Sequence, residues 1–424
     1  MIKKLFLFSF LFLFLCSHAH SRILIVIDEA STKKFPIAVP AFLYEGGSSA
    51  GGLYRKVEAL TKKDLILTGL LHVIDDESLP QKDKDIEKIN FEKWKALEVG
   101  ALIKGIVKDI GGKKVLQLKL YDVSEKKLLM GKQYTVTSKN YVDATHRFMD
   151  SLMEELTGFR GPFDSKIVAS CGKPWKKQIY TFEMDGERMG RITSGGQNNI
   201  SPAWSPDGAK IAYGSWTSGF AEVWITSGKG LGRQVTNFES TTITPTWAPD
   251  GKKLIVASSR DSNTDLYLVT TAGRTLGKLT SAANIDFNPS LSPDGRIVFS
   301  SERAGNLHLF STNASGGGVV RLTFVGYQND MADWSPDGSK IVFGSRDQGV
   351  FDIFVMDSDG SNIVRLTRGE GSNEAPSWSP DSRYVVFSSS RGGLYVMLED
   401  GTNQTKIPGS DGCTMTDWGP WLSK

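Results

Sequence analysis

Trp204-Ser205-Pro206-Asp207-Gly208 is the first copy of a pattern that returns as Trp247-Ala248-Pro249-Asp250-Gly251, Leu291-Ser292-Pro293-Asp294-Gly295, Trp334-Ser335-Pro336-Asp337-Gly338 and Trp378-Ser379-Pro380-Asp381-Ser382. A truncated sixth copy stands at Trp418-Gly419-Pro420, and the steps between copies are 43, 44, 43, 44 and 40 residues. A period in that range with strand-like contents predicts a β-propeller, one blade per repeat. Pro presets φ for the first central position of a type I turn, Asp tolerates the second, and Gly accepts the left-handed conformation that follows. That chemistry joins two antiparallel strands through a hairpin with a glycine bulge. An apolar strand follows each turn (Lys340-Ile341-Val342-Phe343), then an alternating one (Asp352-Ile353-Phe354-Val355-Met356). A basic-x-Leu-Thr ending closes the unit in Lys278-Leu279-Thr280, Arg321-Leu322-Thr323 and Arg365-Leu366-Thr367. Four strands per repeat make a propeller blade.

With 424 residues the chain has room for two or three domains, and 40% hydrophobic content is ordinary for a globular protein. A formal net charge of +3 indicates neither a nucleic-acid footprint nor a membrane-surface patch. Lys3 and Lys4 precede an apolar run from Leu5 to Leu15, and small residues follow around Ala19 and Ser21. This predicts a secretory signal peptide over residues 1–21, since the apolar run is too short to span a bilayer comfortably. Cleavage before Arg22 fits, with cleavage after Ala19 as the alternative. Cys16 raises the option of a lipoprotein, but the bulky Leu15 before it suits that processing poorly.

Residues 22–160 show no repeat and predict a small α/β domain. Short strands are expected at Arg22–Ile27, Pro36–Pro40 and Leu70–Ile74, with longer ones at Ala101–Val107, Val115–Leu120 and Leu128–Val136. Helical spacing appears at Leu53, Val57 and Leu60, again over Phe91–Leu97, and over Asn140–Leu156 with Phe148 and Leu152 on one side. The propeller is expected over residues 161–424.

Its count of blades comes from the two ends. Ser165–Ser170, Gln178–Phe182 and Gly190–Thr193 match the second, third and fourth strands of a repeat whose first strand is missing. The last copy, ending at Trp418, supplies a first strand and nothing after it. Joined, they make a split blade that closes a ring of five continuous blades and leaves no open edge. Once the signal is removed only Cys171 and Cys413 remain, both in that blade. Their places correspond to Ser215 and Asn199 of the first full repeat, which pair across its hairpin. A disulfide is expected in an oxidising compartment; two unpaired thiols lying near each other is the alternative.

Catalytic signatures are thin. His72, His146 and His308 are scattered without metal-ligand spacing, and there is no Gly-x-Ser-x-Gly elbow, phosphate loop or Cys-x-x-Cys. His308 reads as a blade-surface or packing residue. Polar residues gather just before or within the first strand of each repeat: Asn199, Asp286, Asn288, Asn329, Asp330, Asp333, Glu374 and Asp417, with Asn198 and Asn373 nearby. In a propeller the first strand lines the central channel, so these predict a polar mouth able to grip a partner or a cation. The alternative is that these loops need Asp and Asn for their turns.

The x-Pro-x-Trp-Ser-Pro-Asp-Gly repeat with its basic-x-Leu-Thr ending resembles the propeller repeat of the TolB family. So do Leu322-Thr323-Phe324 through Gln328-Asn329-Asp330, Glu154-Glu155-Leu156-Thr157-Gly158, Asp417-Trp418-Gly419-Pro420-Trp421-Leu422 and the start Arg22-Ile23-Leu24-Ile25-Val26-Ile27-Asp28. The resemblance implies a monomeric, non-enzymatic periplasmic component of the Tol–Pal system, without cofactor, metal, nucleic-acid partner or membrane span of its own. It would couple the peptidoglycan-associated lipoprotein Pal, held at the channel mouth, to a TolA-like inner-membrane protein reached by Arg22–Asp28, in envelope integrity and constriction at division. Thr241 stands where the family pattern suggests a His at the mouth, and Asn288 where it suggests an acid. An exported ligand- or glycan-binding propeller and a peptidase-associated propeller are the competing expectations. Ser382 replaces the turn glycine, at a cost of roughly 1 kcal/mol for a left-handed φ.

Overall fold

The computed structural model describes residues 33–46, 52–80, 86–195, 198–346 and 349–423. The amino-terminal unit comprises β1 (Phe35–Ala38), β2 (Leu43–Glu45), α1 (Leu53–Leu67), β3 (Leu71–Val73), α2 (Phe91–Lys95), β4 (Ala101–Ile110), β5 (Lys113–Asp122), β6 (Lys127–Val136) and α3 (Tyr141–Thr157). Its sheet runs β3-β1-β4-β5-β6, with β2 also on β4. Pairs β1–β3, β1–β4 and β2–β4 are parallel; β4–β5 and β5–β6 are antiparallel hairpins. The three residues of β2 have no counterpart among the strands expected from sequence, because so short a segment shows no periodicity to read. The expected strand Arg22–Ile27 lies outside the described residues.

Six four-stranded units follow. Their inner strands are Asn199–Trp204, Thr242–Trp247, Asp286–Leu291, Gln328–Trp334, Asn373–Trp378 and Cys413–Trp418, each antiparallel to the strand beside it. The last of them pairs with Ile167–Cys171, which leads on to Gln178–Phe182 and Met189–Arg191, so the sixth unit is a blade closed by both ends of the propeller. Cys413 faces Cys171 in register, and their sulfurs are bonded. The fold is a six-bladed β-propeller preceded by a small domain of helices and strands.

The repeat's two signatures have separate jobs. In the turn, the hydroxyl of Ser205, Ser292, Ser335 or Ser379 donates to the Asp two residues on and accepts the backbone N–H of Lys210, Arg296, Lys340 or Tyr384. This ties the two strands together across the turn. Ser382 takes a left-handed φ of 61° where Gly208, Gly251, Gly295 and Gly338 take φ between 62° and 89° in the other copies. In the ending, the buried hydroxyls of Thr193, Thr236, Thr280, Thr323, Thr367 and the equivalent Ser410 each accept a backbone N–H of the third strand. The short fourth strand is thereby held where it makes few ladder bonds.

One core runs from the amino-terminal domain into the propeller. Leu65, Phe148 and Leu152 share a cluster with Ile167, Phe182, Tyr384, Val396 and Trp418. Polar links cross the same seam: Tyr384 Oη donates to Thr68 O at 3.0 Å, Asn403 Nδ2 to Leu67 O at 3.0 Å, and Lys63 pairs with Glu187 at 2.6 Å. These propeller residues lie at or beside hairpins joining strands 1–2 and 3–4 of a blade. The amino-terminal domain therefore sits on the face where those hairpins emerge, and the loops that enter the inner strands open on the other.

Candidate functional site at the propeller channel

The inner strands bend, and the bend makes the channel wall. In each blade the register shifts by one residue midway along this strand. The bulged residues Ser201, Thr244, Asn288, Met331, Ala375 and Met415 have φ between 48° and 54°. A non-glycine residue held there costs roughly 1–2 kcal/mol, and such strain persists only where the surroundings impose it. Pro202, Pro245, Pro289 and Pro376 follow four of the six. Proline is confined to edges and bulges of sheets, so in four of the six blades this signal was present in the sequence two residues before the Trp or Leu that ends the strand.

The bulges bring three or four residues per blade onto a central cavity of about 260 Å³. Deepest in the strand order are Ala203, Thr246, Ser290, Asp333, Ser377 and Asp417, each just before the Trp or Leu that ends the inner strand. Four of them, Ser290, Asp333, Ser377 and Asp417, latch neighbouring blades. Trp204 N donates to Asp417 at 2.6 Å, Trp334 N to Ser290 at 3.1 Å, Trp378 N to Asp333 at 3.0 Å and Trp418 N to Ser377 at 3.0 Å. Asp333 also accepts the hydroxyls of Ser290 and Ser377 at 3.0 Å each. Burial raises the Asp333 carboxyl above its ordinary range against these donors. Burial and then the charge of Asp333 push Asp417 up to about 8, the Trp204 N–H opposing. Both effects favour the protonated form of Asp417 in the floor of the channel.

Of the eight residues expected at the mouth, Asn288, Asp333 and Asp417 line the cavity. The rest are placed otherwise. Asn199 is buried and donates to Gln178 Oε1 at 3.1 Å; Asp286 is buried and accepts Arg303 Nη2 at 2.8 Å. Asn329 is buried, donating to Val325 O at 2.9 Å beside His308. Asp330 is buried beneath the wall, accepting Asn288 Nδ2 at 2.8 Å and Ser300 Oγ at 2.6 Å, and burial raises its carboxyl. Glu374 is half-buried and accepts Ser372 Oγ at 2.9 Å. Thr241 is exposed in the loop entering the second blade's inner strand. Arg22–Asp28 lie outside the described residues.

Sequence reasoning passed over the rim of this face, which is apolar. Trp175, Phe220 and Val350 project from loops between second and third strands, and Phe324, Val325 and Tyr327 from the loop entering Gln328. Their exposures are 75%, 50%, 47%, 69%, 70% and 58%. Exposed apolar groups gathered on one face mark interaction surfaces. The signal was in Phe324-Val325-Gly326-Tyr327, a loop with three large apolar residues and no ionisable group other than the tyrosine phenol. Among the described residues, only Asp64, His146 and Asp185 form a group able to hold a metal, and they lie at the seam with the amino-terminal domain, away from the channel.

A ring of six blades carrying a small α/β domain on one face and an apolar-rimmed channel on the other defines a two-domain propeller protein. Residues 153–422 match the model of the TolB beta propeller domain and residues 23–129 that of the TolB amino-terminal domain. The chain belongs to the TolB family. It is 34% identical over 283 residues to a TolB homolog of Chlorobium chlorochromatii, covering 66% of this chain and 64% of that protein. It is 28% identical over 222 residues to the Tol-Pal system protein TolB of Hydrogenovibrio crunogenus, covering 51% of each. The chain spans about half the length of the first curated relatives it matches. The crystal structure of TolB from Acinetobacter baumannii superposes with a TM-score of 0.77 at 25% identity, covering 92% of this chain and 97% of that one.

Proposed function

We propose that this protein is an exported, non-enzymatic interaction component of the Tol–Pal envelope system, acting in the periplasm after loss of residues 1–21. The apolar rim and channel would receive the Pal lipoprotein, and Arg22–Asp28 would reach a TolA-like inner-membrane protein, coupling the two in envelope integrity and division. Family membership and relatives named for the Tol–Pal system support this reading. Among the described residues no helix is long and apolar enough to cross a membrane. The observation that carries it is the exposed apolar rim on the face opposite the amino-terminal domain.

The test is calorimetric titration of the mature protein with the soluble, lipid-free Pal of the same organism. Phe324→Asp with Tyr327→Asp should weaken binding at least ~100-fold, since aromatic anchors carry a large share of interface energy. Glu374→Lys at the half-buried margin should cost ~10-fold or less. Undiminished binding by the aromatic double variant would remove the assignment of this face.

A further inference from the structure

The amino-terminal domain meets the propeller over a buried group of unlike parentage. Asp64 comes from α1, His146 from α3, and Asp185 from the hairpin after Gln178–Phe182 of the closing blade. Their exposures are 0%, 2% and 2%. His146 Nε2 lies 3.2 Å from Asp185 Oδ2 and 3.7 Å from Asp64 Oδ2, and one ligand atom from each residue falls within 4.8 Å of the others. Asp185 Oδ1 accepts the backbone N–H of Glu187 at 3.0 Å, which fixes the carboxylate and leaves Oδ2 turned to the imidazole. Neither oxygen of Asp64 has a hydrogen-bond partner, although both are buried.

We infer that Asp64, His146 and Asp185 bind one divalent transition-metal ion, of which zinc is the probe, and that the ion clasps the amino-terminal domain to the closing blade. Zinc takes imidazole nitrogen and carboxylate oxygen at about 2.0–2.2 Å in a tetrahedron, whose edges are then roughly 3.3–3.5 Å. The two measured separations bracket that edge. A neutral imidazole with two carboxylates carries two negative charges in a buried site, a divalent cation neutralises them, and a bound water would take the fourth position of the tetrahedron. An imidazolium alone serves the set less well: its Nε2–H is within hydrogen-bonding reach of Asp185 and leaves Asp64 a buried carboxylate without a donor, a costly arrangement. Three protein ligands including an imidazole also disfavour calcium and magnesium, which take more oxygens. The site sits among the other links of the seam, Lys63–Glu187 and Tyr384–Thr68, so the ion would fix how the two domains are held.

The mature full chain, carrying no histidine tag and stripped with chelator, is incubated with zinc, desalted and assayed for metal by mass spectrometry. One zinc per chain is expected, with a thermal midpoint several degrees higher than in chelator and the visible absorption of a tetrahedral site when cobalt(II) replaces zinc. His146→Gln and Asp64→Asn should lower zinc affinity at least ~10-fold, while His308→Gln leaves it unchanged. The wild-type measurements stand even where a variant fails to fold. No retained zinc together with no zinc-dependent shift in the wild-type midpoint would overturn the inference, as would full retention by His146→Gln.

Discussion

The closing blade and the five continuous blades solve one problem in two ways. Within a continuous blade the inner strand and the second strand are joined by the Ser-Pro-Asp turn, and the positions opposite each other at the far end are Asn199 and Ser215, Thr242 and Ser258, Asp286 and Ser301, Asn329 and Ser345, Asn373 and Ser389. The closing blade has no turn there, because its two innermost strands come from opposite ends of the propeller. At the matching positions it has Cys413 and Cys171, bonded across 242 residues of sequence. Elsewhere the blades agree: Thr193 caps the third strand of the closing blade as Thr236 caps that of the first, and both have the same mid-strand bulge. A covalent link stands where chain connectivity is missing, and polar pairs suffice where it is present.

The largest test of that contrast is to remove the bond. Cys171→Ser with Cys413→Ser should lower stability by on the order of 5 kcal/mol, the chain-entropy value for so long a loop, read as a fall in denaturation midpoint. Asn199→Ala with Ser215→Ala at the equivalent place should cost far less; equal losses would erase the distinction. A second test asks whether the blades are alike in their outer halves. Thr193→Val and Thr236→Val each orphan a buried N–H and should each cost about 1–3 kcal/mol. A much larger loss for Thr193 would make the closing blade weak throughout rather than at one seam.

The smallest effect concerns Asp417, the closing blade's member of the latch ring, which faces the carboxylate of Asp333. Its carboxyl is raised in the folded state, so the stability tied to its proton is complete below the unfolded value and is lost as pH rises through about 8. Between pH 7 and 9 the wild type should lose about 1 kcal/mol that Asp417→Asn does not lose. Parallel pH profiles of the two proteins would sink this account.

The blade count, the split blade and the facing cysteines were legible because turn residues and strand alternation recur at one period. The cysteine correspondence also held through an unread bulge, since both pairs lie on the same side of the register shift. The candidate site was legible only in part. Polar residues preceding the repeated Trp were visible, but whether Asn199 and Asp286 face a channel or their own blade depends on partners such as Gln178 and Arg303, which no spacing rule identifies. The Asp64, His146 and Asp185 group was invisible for a related reason: its members belong to three elements separated by most of the amino-terminal domain.

The ring closure also sets a clock. Ile167–Cys171 is the first propeller strand to be made, and its inner neighbour Cys413–Trp418 is the last. At about 5–20 residues per second a nascent chain takes roughly 10–50 s to bridge the interval. Through that time one edge of the starting strand, apolar and β-branched at Ile167 and Val168, has no permanent partner. That edge stays open to other strands until Cys413–Trp418 arrives to cover it.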